Sequence, residues 1–117
     1  MTARKNRLVY MVGFNHRYHP AFLEAKEISH KGGIGKILFI RSRYGFGGKE
    51  NYRGEWRFQK ALSGGGELID QGVHMIDLAR WFLGDFQDVR GFAENLFWGG
   101  EVEDNGFLFL RSKTGGV

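Results

Sequence analysis

Three residues that can exchange protons or bind polar groups share one segment of the sequence: Asp70, His74 and Asp77 stand four and three residues apart. Residues at these spacings lie on one face of an α-helix, so the pattern predicts two carboxylates and an imidazole in a single polar stripe. The rest of segment 67–83 is largely apolar, which predicts a helix buried on most sides. Because charged groups cannot face dry packing without partners, we expect the stripe to face a cavity, a ligand or another polar element.

The stripe predicts acid–base chemistry. A carboxylate beside a histidine fixes the tautomer of the ring, and a histidine held in this way exchanges a proton near neutral pH. Two other interpretations are open: His74 is a structural histidine bonded to Asp70 or Asp77, or Asp70 and His74 are half of a metal site. The glycines at 64–66 allow a backbone or a ligand to approach closely, but they lack the lysine and the serine or threonine of a phosphate-binding loop.

Two polar pairs elsewhere could contact a ligand. Asn15 and Arg17 follow an apolar run that ends where a helix is predicted to begin, and ligands of open α/β sheets bind at the carboxyl ends of strands. Trp56 and Arg57 lie in a glycine-rich loop, and an aromatic ring beside a guanidinium suits a sugar or an anion. The alternatives are a polar turn for the first pair and a tryptophan that anchors the loop to the core for the second.

The elements that position these residues are predicted from hydrophobic periodicity. An unbroken apolar run predicts a strand buried on both faces, and alternation predicts a strand with one wet face. Pro20 suits the first turn of a helix and Gly32–Gly33 suit its end. Two late strands with a short connection should pair antiparallel, which predicts an α+β fold. In chain order we expect a strand at 7–15, a helix from Pro20, a strand at 37–44, a loop at 45–66 with seven glycines, a helix at 67–83, and strands within 86–98 and 103–115 joined near Gly99–Gly100.

Composition restricts the class of protein. A chain of 117 residues, of which 42% are hydrophobic, suits one domain with a core. The net charge of +4 comes from basic residues scattered among carboxylates, so nucleic-acid binding is not favoured. There is no cysteine, and therefore no disulfide or thiolate metal site. No apolar run reaches membrane-spanning length and no signal peptide opens the sequence, so we expect a cytoplasmic protein without membrane contact.

Four stretches of the sequence carry a family resemblance: VGFNHRYHPAF, GGIGKI, EWRFQKALSGGGELIDQGVHMIDLARWFLG and VEDNGFLFLRSKTG. They resemble motifs of the glucose–fructose oxidoreductase/inositol dehydrogenase (Gfo/Idh/MocA) family, in the family's order and over nearly the whole chain. The resemblance implies an N-terminal Rossmann domain that binds NAD(P) and a C-terminal α+β domain with an open, mainly antiparallel sheet and helices packed on one face. It assigns residues 1–31 to the last strand and crossover helix of a missing dinucleotide-binding domain, and residues 32–117 to the first part of a substrate and oligomerisation domain.

The same resemblance implies roles for individual residues. His74 would take the proton from the substrate hydroxyl, and Asp70 would orient the substrate or His74. Asn15 and Arg17 would line the junction near the nicotinamide. The residues expected to bind substrate are Asn15, Arg17, Trp56, Arg57 and Asp77.

The expected function follows from the resemblance. It implies part of an NAD(P)-dependent oxidoreductase that acts on secondary alcohols of sugars or polyols, with NAD or NADP in the intact enzyme. The glycine-rich dinucleotide fingerprint and the family's Glu-Lys-Pro segment do not occur in this sequence, so we expect the chain to bind no cofactor and to be inactive alone. The alternative is a truncated gene product that serves as an oligomerising or small-ligand-binding module. A sheet of few strands with large apolar residues on both faces also predicts a homo-oligomer formed through the sheet.

Overall fold

Two antiparallel strands form the sheet of this computed structural model, which describes residues 2–117. They are β1 (Phe86–Glu94) and β2 (Asn105–Ser112). Phe92 lies opposite Phe107, and a bulge near the start of β1 shifts the register of the pairing. The predicted antiparallel pair of late strands and the α+β class are confirmed. The strands are shorter than predicted because residues 95–104 form the connecting loop.

The described part of the chain also contains four α-helices: α1 (Thr2–Lys5), α2 (Pro20–His30), α3 (Lys60–Ser63) and α4 (Val73–Leu83). Helix α2 begins at Pro20 as predicted, and the ring of His19 accepts a hydrogen bond from the N–H of Ala21 in its first turn. Helix α4 is followed by Gly84, whose φ of +79° is a conformation that glycine adopts readily. Among residues 2–117, no helix is long and apolar enough to cross a membrane.

The helix predicted over 67–83 is present, but its first turn is wider than an α-helix. Residues Leu68–Gly72 form a π-helical turn that leads directly into α4. Glu103, just before β2, holds this turn: its carbonyl oxygen accepts a hydrogen bond from the N–H of Glu67, and its carboxylate accepts one from the N–H of Leu68. The backbone approaches so closely that a Cβ on Gly66 would lie 1.8 Å from the Glu103 carbonyl oxygen. Side chains on either side of a π-turn do not follow the α-helical spacing, which changes the geometry of the predicted stripe.

Two of the predicted strands are wrong. Residues 7–15 contain no strand, and the apolar side chains of Leu8–Val12 are 67–97% exposed rather than buried on two faces. Segment 37–44 also lacks a strand, although Leu38 and Ile40 exchange backbone hydrogen bonds with Val117. A strand requires a ladder of bonds to a neighbour, and neither segment has one among the described residues.

The core is small and aromatic. Its buried apolar residues are Tyr52, Phe58, Leu78, Leu83 and Val102. The ring of Tyr52 meets Phe58 and Trp98 edge to face, with centroids 5.0 and 5.4 Å apart. Loop 45–66 is therefore anchored by packing, and it contains two 3₁₀ turns (Tyr52–Gly54 and Trp56–Phe58) as well as α3.

Asp104 organises the loop between β1 and β2. Its carboxylate accepts hydrogen bonds from the backbone N–H groups of Leu96, Phe97 and Trp98. Burial alone would raise the pKa of Asp104, but these bonds and one from the side chain of Asn105 outweigh burial and hold the pKa at about 2.

The two faces of the sheet have different environments. On the face toward the helices, Leu68 of the π-turn lies against Gly106. On the opposite face, Phe92 and Phe107 stack with centroids 5.0 Å apart, and Phe109 is 78% exposed. We call Phe92, Phe107 and Phe109 the outer aromatic face.

Candidate functional site

A cleft of about 130 Å³ opens beside the π-turn and contains the side chain of Asp70. The second 3₁₀ turn of loop 45–66 contributes Trp56 and Arg57, so residues from two separate sequence motifs meet here. The lining consists of Trp56, Arg57, Ser63, Gly65, Gly66, Ile69 and Asp70. The glycines leave the floor of the cleft without side chains, which permits the close approach expected from the sequence.

Arg57 is the charged centre of the cleft. Its Nε donates to Oδ2 of Asp70 at 3.1 Å, and its Nη1 donates to Oε2 of Glu55 at 3.0 Å. The second carboxylate oxygen of Glu55 lies 2.6 Å from the ammonium of Lys49. The hydrogen bond to Asp70 is the main reason that the pKa of Arg57 is raised. Lys49, Glu55, Arg57 and Asp70 therefore form a chain of alternating charges that ends in the cleft.

Trp56 is available to a ligand rather than used as a core anchor. Its side chain remains 51% exposed, and the guanidinium carbon of Arg57 lies 4.8 Å from the ring centroid. The anchoring role that the sequence left open for this tryptophan is filled by Tyr52 and Phe58, which are buried.

Asp77 lies in a different environment from Asp70, although both belong to the predicted stripe. Asp77 is 7% exposed and accepts hydrogen bonds from Nε of Arg17, at 2.6 Å, and from Nη2 of the same residue. This hydrogen bonding raises the pKa of Arg17. Arg17 lies in a 3₁₀ turn, Asn15–Tyr18, in which Asn15 is exposed. The ion pair thus fixes the segment before α2 against α4.

His74 contacts two aromatic rings instead of a carboxylate. The ring of His16 stacks on it at 4.4 Å, and Phe14 meets it edge-on at 6.1 Å. Its Nδ1 is buried and has no hydrogen-bond partner among residues 2–117. The expectation that Asp70 or Asp77 orients His74 is therefore not met, and the same holds for a structural histidine bonded to either carboxylate. The physical reason is that both carboxylates are bonded to arginines from other segments.

Sequence reasoning missed two residues near the site, Glu67 and Tyr52, and one contact, the stack of His16 on His74. His16 stands beside the predicted Asn15 and Arg17, but nothing in the sequence indicates a stack on a histidine 58 positions later. Glu67 accepts a hydrogen bond from the hydroxyl of Tyr52 at 3.2 Å. Burial raises the pKa of Glu67, and burial together with the Glu67 charge raises the pKa of Tyr52 to about 12.

Within residues 2–117 no group of three metal-ligating side chains is present, so Asp70 and His74 gain no further ligand there.

Comparison with known proteins identifies the family. Residues 22–117 match the family model described as the GFO/IDH/MocA C-terminal domain. Levoglucosan dehydrogenase of Pseudarthrobacter phenanthrenivorans is 40% identical over 89 residues, which are 74% of this chain and 23% of that protein. Inositol 2-dehydrogenase 2 of Saccharopolyspora erythraea is 31% identical over 116 residues, 96% of this chain and 31% of that protein. The chain belongs to the Gfo/Idh/MocA family, as the sequence motifs predicted.

Solved structures support the same assignment. A structure of levoglucosan dehydrogenase in complex with NADH and levoglucosan superposes with a TM-score of 0.82 at 34% identity, over 97% of this chain and 33% of that one. The chain therefore spans between 23% and 33% of the length of these relatives.

Proposed function

We propose that this chain is the substrate-binding part of an NAD(P)-dependent oxidoreductase that acts on a secondary alcohol of a sugar or polyol. The observation that carries the proposal is the meeting of Asp70, Trp56 and Arg57 at one cleft in a chain of the Gfo/Idh/MocA family. A carboxylate accepts hydrogen bonds from sugar hydroxyls, and a half-exposed indole offers an apolar face to the C–H side of a sugar ring. The names of the relatives, a levoglucosan and an inositol dehydrogenase, support the same substrate class.

His74 is the residue that we propose to move the proton. Oxidation of a secondary alcohol to a ketone removes a proton from the hydroxyl and a hydride from the carbon, and a neutral imidazole nitrogen can accept that proton. The contacts with Phe14 and His16 hold the plane of the ring. The buried Nδ1, which lacks a partner among residues 2–117, supports a polar function for His74, because buried nitrogen atoms normally have a hydrogen-bond partner.

The two carboxylates take different parts in this proposal. Asp70 binds a substrate hydroxyl in the cleft, with Arg57 holding its carboxylate in place. Asp77 acts through Arg17, because their ion pair positions the turn that carries Asn15 beside α4. Asp77 is therefore a positioning residue rather than a direct substrate contact.

Residues 2–117 do not fit a nicotinamide dinucleotide. Rossmann domains hold the pyrophosphate on a glycine-rich turn between a strand and the N-terminus of a helix. Here the glycine triplet at 64–66 follows α3 instead of a strand, and the carboxylate of Glu103 lies against it. We propose that NAD or NADP is bound outside these residues in the intact enzyme and that this chain alone does not catalyse hydride transfer.

Replacement of His74 tests the proposal. In a complete enzyme that contains this sequence, His74→Ala should lower turnover by about 10²–10⁴-fold, the usual contribution of a proton-transfer residue, and should leave NADH binding nearly unchanged. His30→Ala, at the exposed end of α2, is the matched control and should keep normal turnover. Near-normal turnover of the His74→Ala enzyme at neutral pH would remove His74 from the mechanism.

The outer aromatic face favours a second function, self-association, which is compatible with the first. Three exposed aromatic rings on one sheet face form an apolar patch, and a two-fold dimer would cover it. We expect a dimer or larger oligomer in sedimentation at micromolar concentration, and a smaller species for Phe92→Ser combined with Phe109→Ser. Val9→Ser, which changes an exposed apolar residue outside the sheet, should not alter the oligomer. A monomeric unsubstituted chain would contradict this function.

A further inference from the structure

The hydrogen bonds of Arg57 decide which ligands the cleft can bind. A guanidinium recognises a carboxylate or a phosphate by presenting two parallel N–H donors. Arg57 already directs Nε to Asp70 and Nη1 to Glu55, so two of its three nitrogen atoms are bonded to carboxylates of this chain. The ammonium of Lys49 is bonded to Glu55 in turn. Both cations of the charge chain, Lys49 and Arg57, are therefore already paired with carboxylates of this chain, which weakens their attraction for an anionic ligand.

Further carboxylates surround the floor of the cleft. A carboxylate oxygen of Glu103 lies 4.0 Å from the place that a Cβ on Gly65 would occupy. Glu67, at the end of the glycine triplet, is close enough to Asp70 and Glu103 that their charges, after its own burial, raise its pKa. The cleft therefore has more acceptor oxygens than free donors, and its electrostatic balance is negative.

Arg17 presents the same situation at the other end of the stripe. Its Nε and Nη2 are both donated to Asp77, which is buried. An anion that bound Arg17 would have to displace the carboxylate of Asp77. Because Asp77 is buried, water could not easily hydrate the displaced carboxylate. Arg57 and Arg17, the two arginines among the predicted substrate-binding residues, are therefore both paired with carboxylates, Asp70 of the π-turn and Asp77 of α4.

We infer that this site selects neutral polyhydroxy substrates and rejects sugars that carry a carboxylate or a phosphate. The inference rests on the proposed function of the cleft as a sugar site, and it narrows that function to one substrate class. Hydroxyl groups of a neutral sugar can donate to the carboxylate of Asp70, which lines the cleft. An acidic sugar would bring a like charge against the carboxylate of Asp70, which disfavours binding, and would find Arg57 already paired with Asp70 and Glu55.

D-Glucose and D-glucuronate are suitable probes because they differ only in a hydroxymethyl group and a carboxylate. Titration of the chain with each sugar at neutral pH and constant salt can be followed through the indole N–H signal of Trp56 in ¹H–¹⁵N NMR spectra, assigned with Trp56→Phe. Glucose should shift this signal, and glucuronate should bind at least roughly tenfold more weakly.

Charge-removing variants locate the cause of the discrimination. Asp70→Asn releases Arg57 and should strengthen glucuronate binding by roughly tenfold relative to the unsubstituted chain. Glu103→Gln removes the second carboxylate and should act in the same direction, which keeps the test informative if Asp70→Asn fails to fold. Asp88→Asn removes the same charge from an exposed pair with Arg90 on β1, far from the cleft, and should bind both sugars like the unsubstituted chain.

The outcomes separate the two proposals. Glucuronate binding to the unsubstituted chain as tightly as glucose would overturn this inference while leaving the sugar site in place. An equal gain in glucuronate affinity for Asp88→Asn and Asp70→Asn would also overturn it, because net charge rather than the local pairing of Arg57 would be responsible. If neither sugar shifts the Trp56 signal in any of these proteins, the sugar site itself is refuted, and the inference with it.

Discussion

The ion pair between Arg17 and Asp77 should be a main support of this fold, and Asp77→Asn tests it. The substitution keeps the shape of the side chain but removes the charge that two guanidinium nitrogens bond. Removing one partner of a fully buried pair costs about 3–5 kcal/mol, whereas an exposed pair contributes only about 0.2–1 kcal/mol. Asp77 is 7% exposed and the side chain of Arg17 is 35% exposed, so we expect an intermediate loss of about 2 kcal/mol.

Urea unfolding at pH 7 measures this loss. For a domain of this size, about 2 kcal/mol corresponds to a fall in Tm of roughly 10 °C, which a parallel thermal scan would detect. Glu27→Gln is the matched control, since it removes a carboxylate from the exposed pair with Lys31 on α2 and should change stability far less. Arg17→Met combined with Asp77→Leu should lose less than the sum of the single substitutions, because no unpaired charge is left behind. Equal effects of Asp77→Asn and Glu27→Gln, or strict additivity in the double variant, would refute the reasoning.

Four other predictions follow from the described contacts. The hydroxyl of Tyr52 should titrate near pH 12, about two units above ordinary tyrosines, in an ultraviolet titration of the folded chain; a folded chain whose tyrosines all titrate near 10 would contradict its burial. Asp104 has a lower pKa when folded than when unfolded, so its contribution to stability is present above about pH 4 and should be lost between about pH 4 and 2. In Asp104→Asn, the free energy of unfolding measured by urea titration should therefore depend less on pH over that range. Gly66→Ala should destabilise the chain strongly because its Cβ would overlap a carbonyl oxygen, while Gly54→Ala, with open space around it, should have little effect in the same unfolding assay. NADH and NADPH should not bind the 117-residue chain; saturation at micromolar concentration in a calorimetric or fluorescence titration would show that this expectation is wrong.

Local patterns in the sequence were sufficient for elements whose causes are local. Pro20 fixes the start of α2, and the apolar residues of 67–83 mark the long helix, because both depend on neighbours within a few positions. The two late strands were predicted for the same reason, since they follow one another in the chain and pair with each other. The segments at 7–15 and 37–44 have similar composition, but a strand exists only when a partner supplies backbone hydrogen bonds.

The candidate site was only partly predictable because its partners come from distant positions. The spacing of Asp70, His74 and Asp77 correctly indicated that these three residues belong to one helical segment. It could not indicate that each carboxylate would bond an arginine from another segment, Arg57 or Arg17. The π-turn also depends on a distant residue. Glu103, in the loop between β1 and β2, accepts hydrogen bonds from the N–H groups of Glu67 and Leu68 at the start of the turn.

In the 117-residue chain by itself, the exposed segment Leu8–Val12 makes solubility a weak point. Five consecutive uncharged residues with strong β-propensity and no proline form the kind of stretch that assembles into intermolecular cross-β structure. Chaperones and proteases in a cell act on such exposed apolar stretches. Tyr10 is 82% exposed, and a lysine there would interrupt the stretch as a gatekeeper residue at little cost to the folded state.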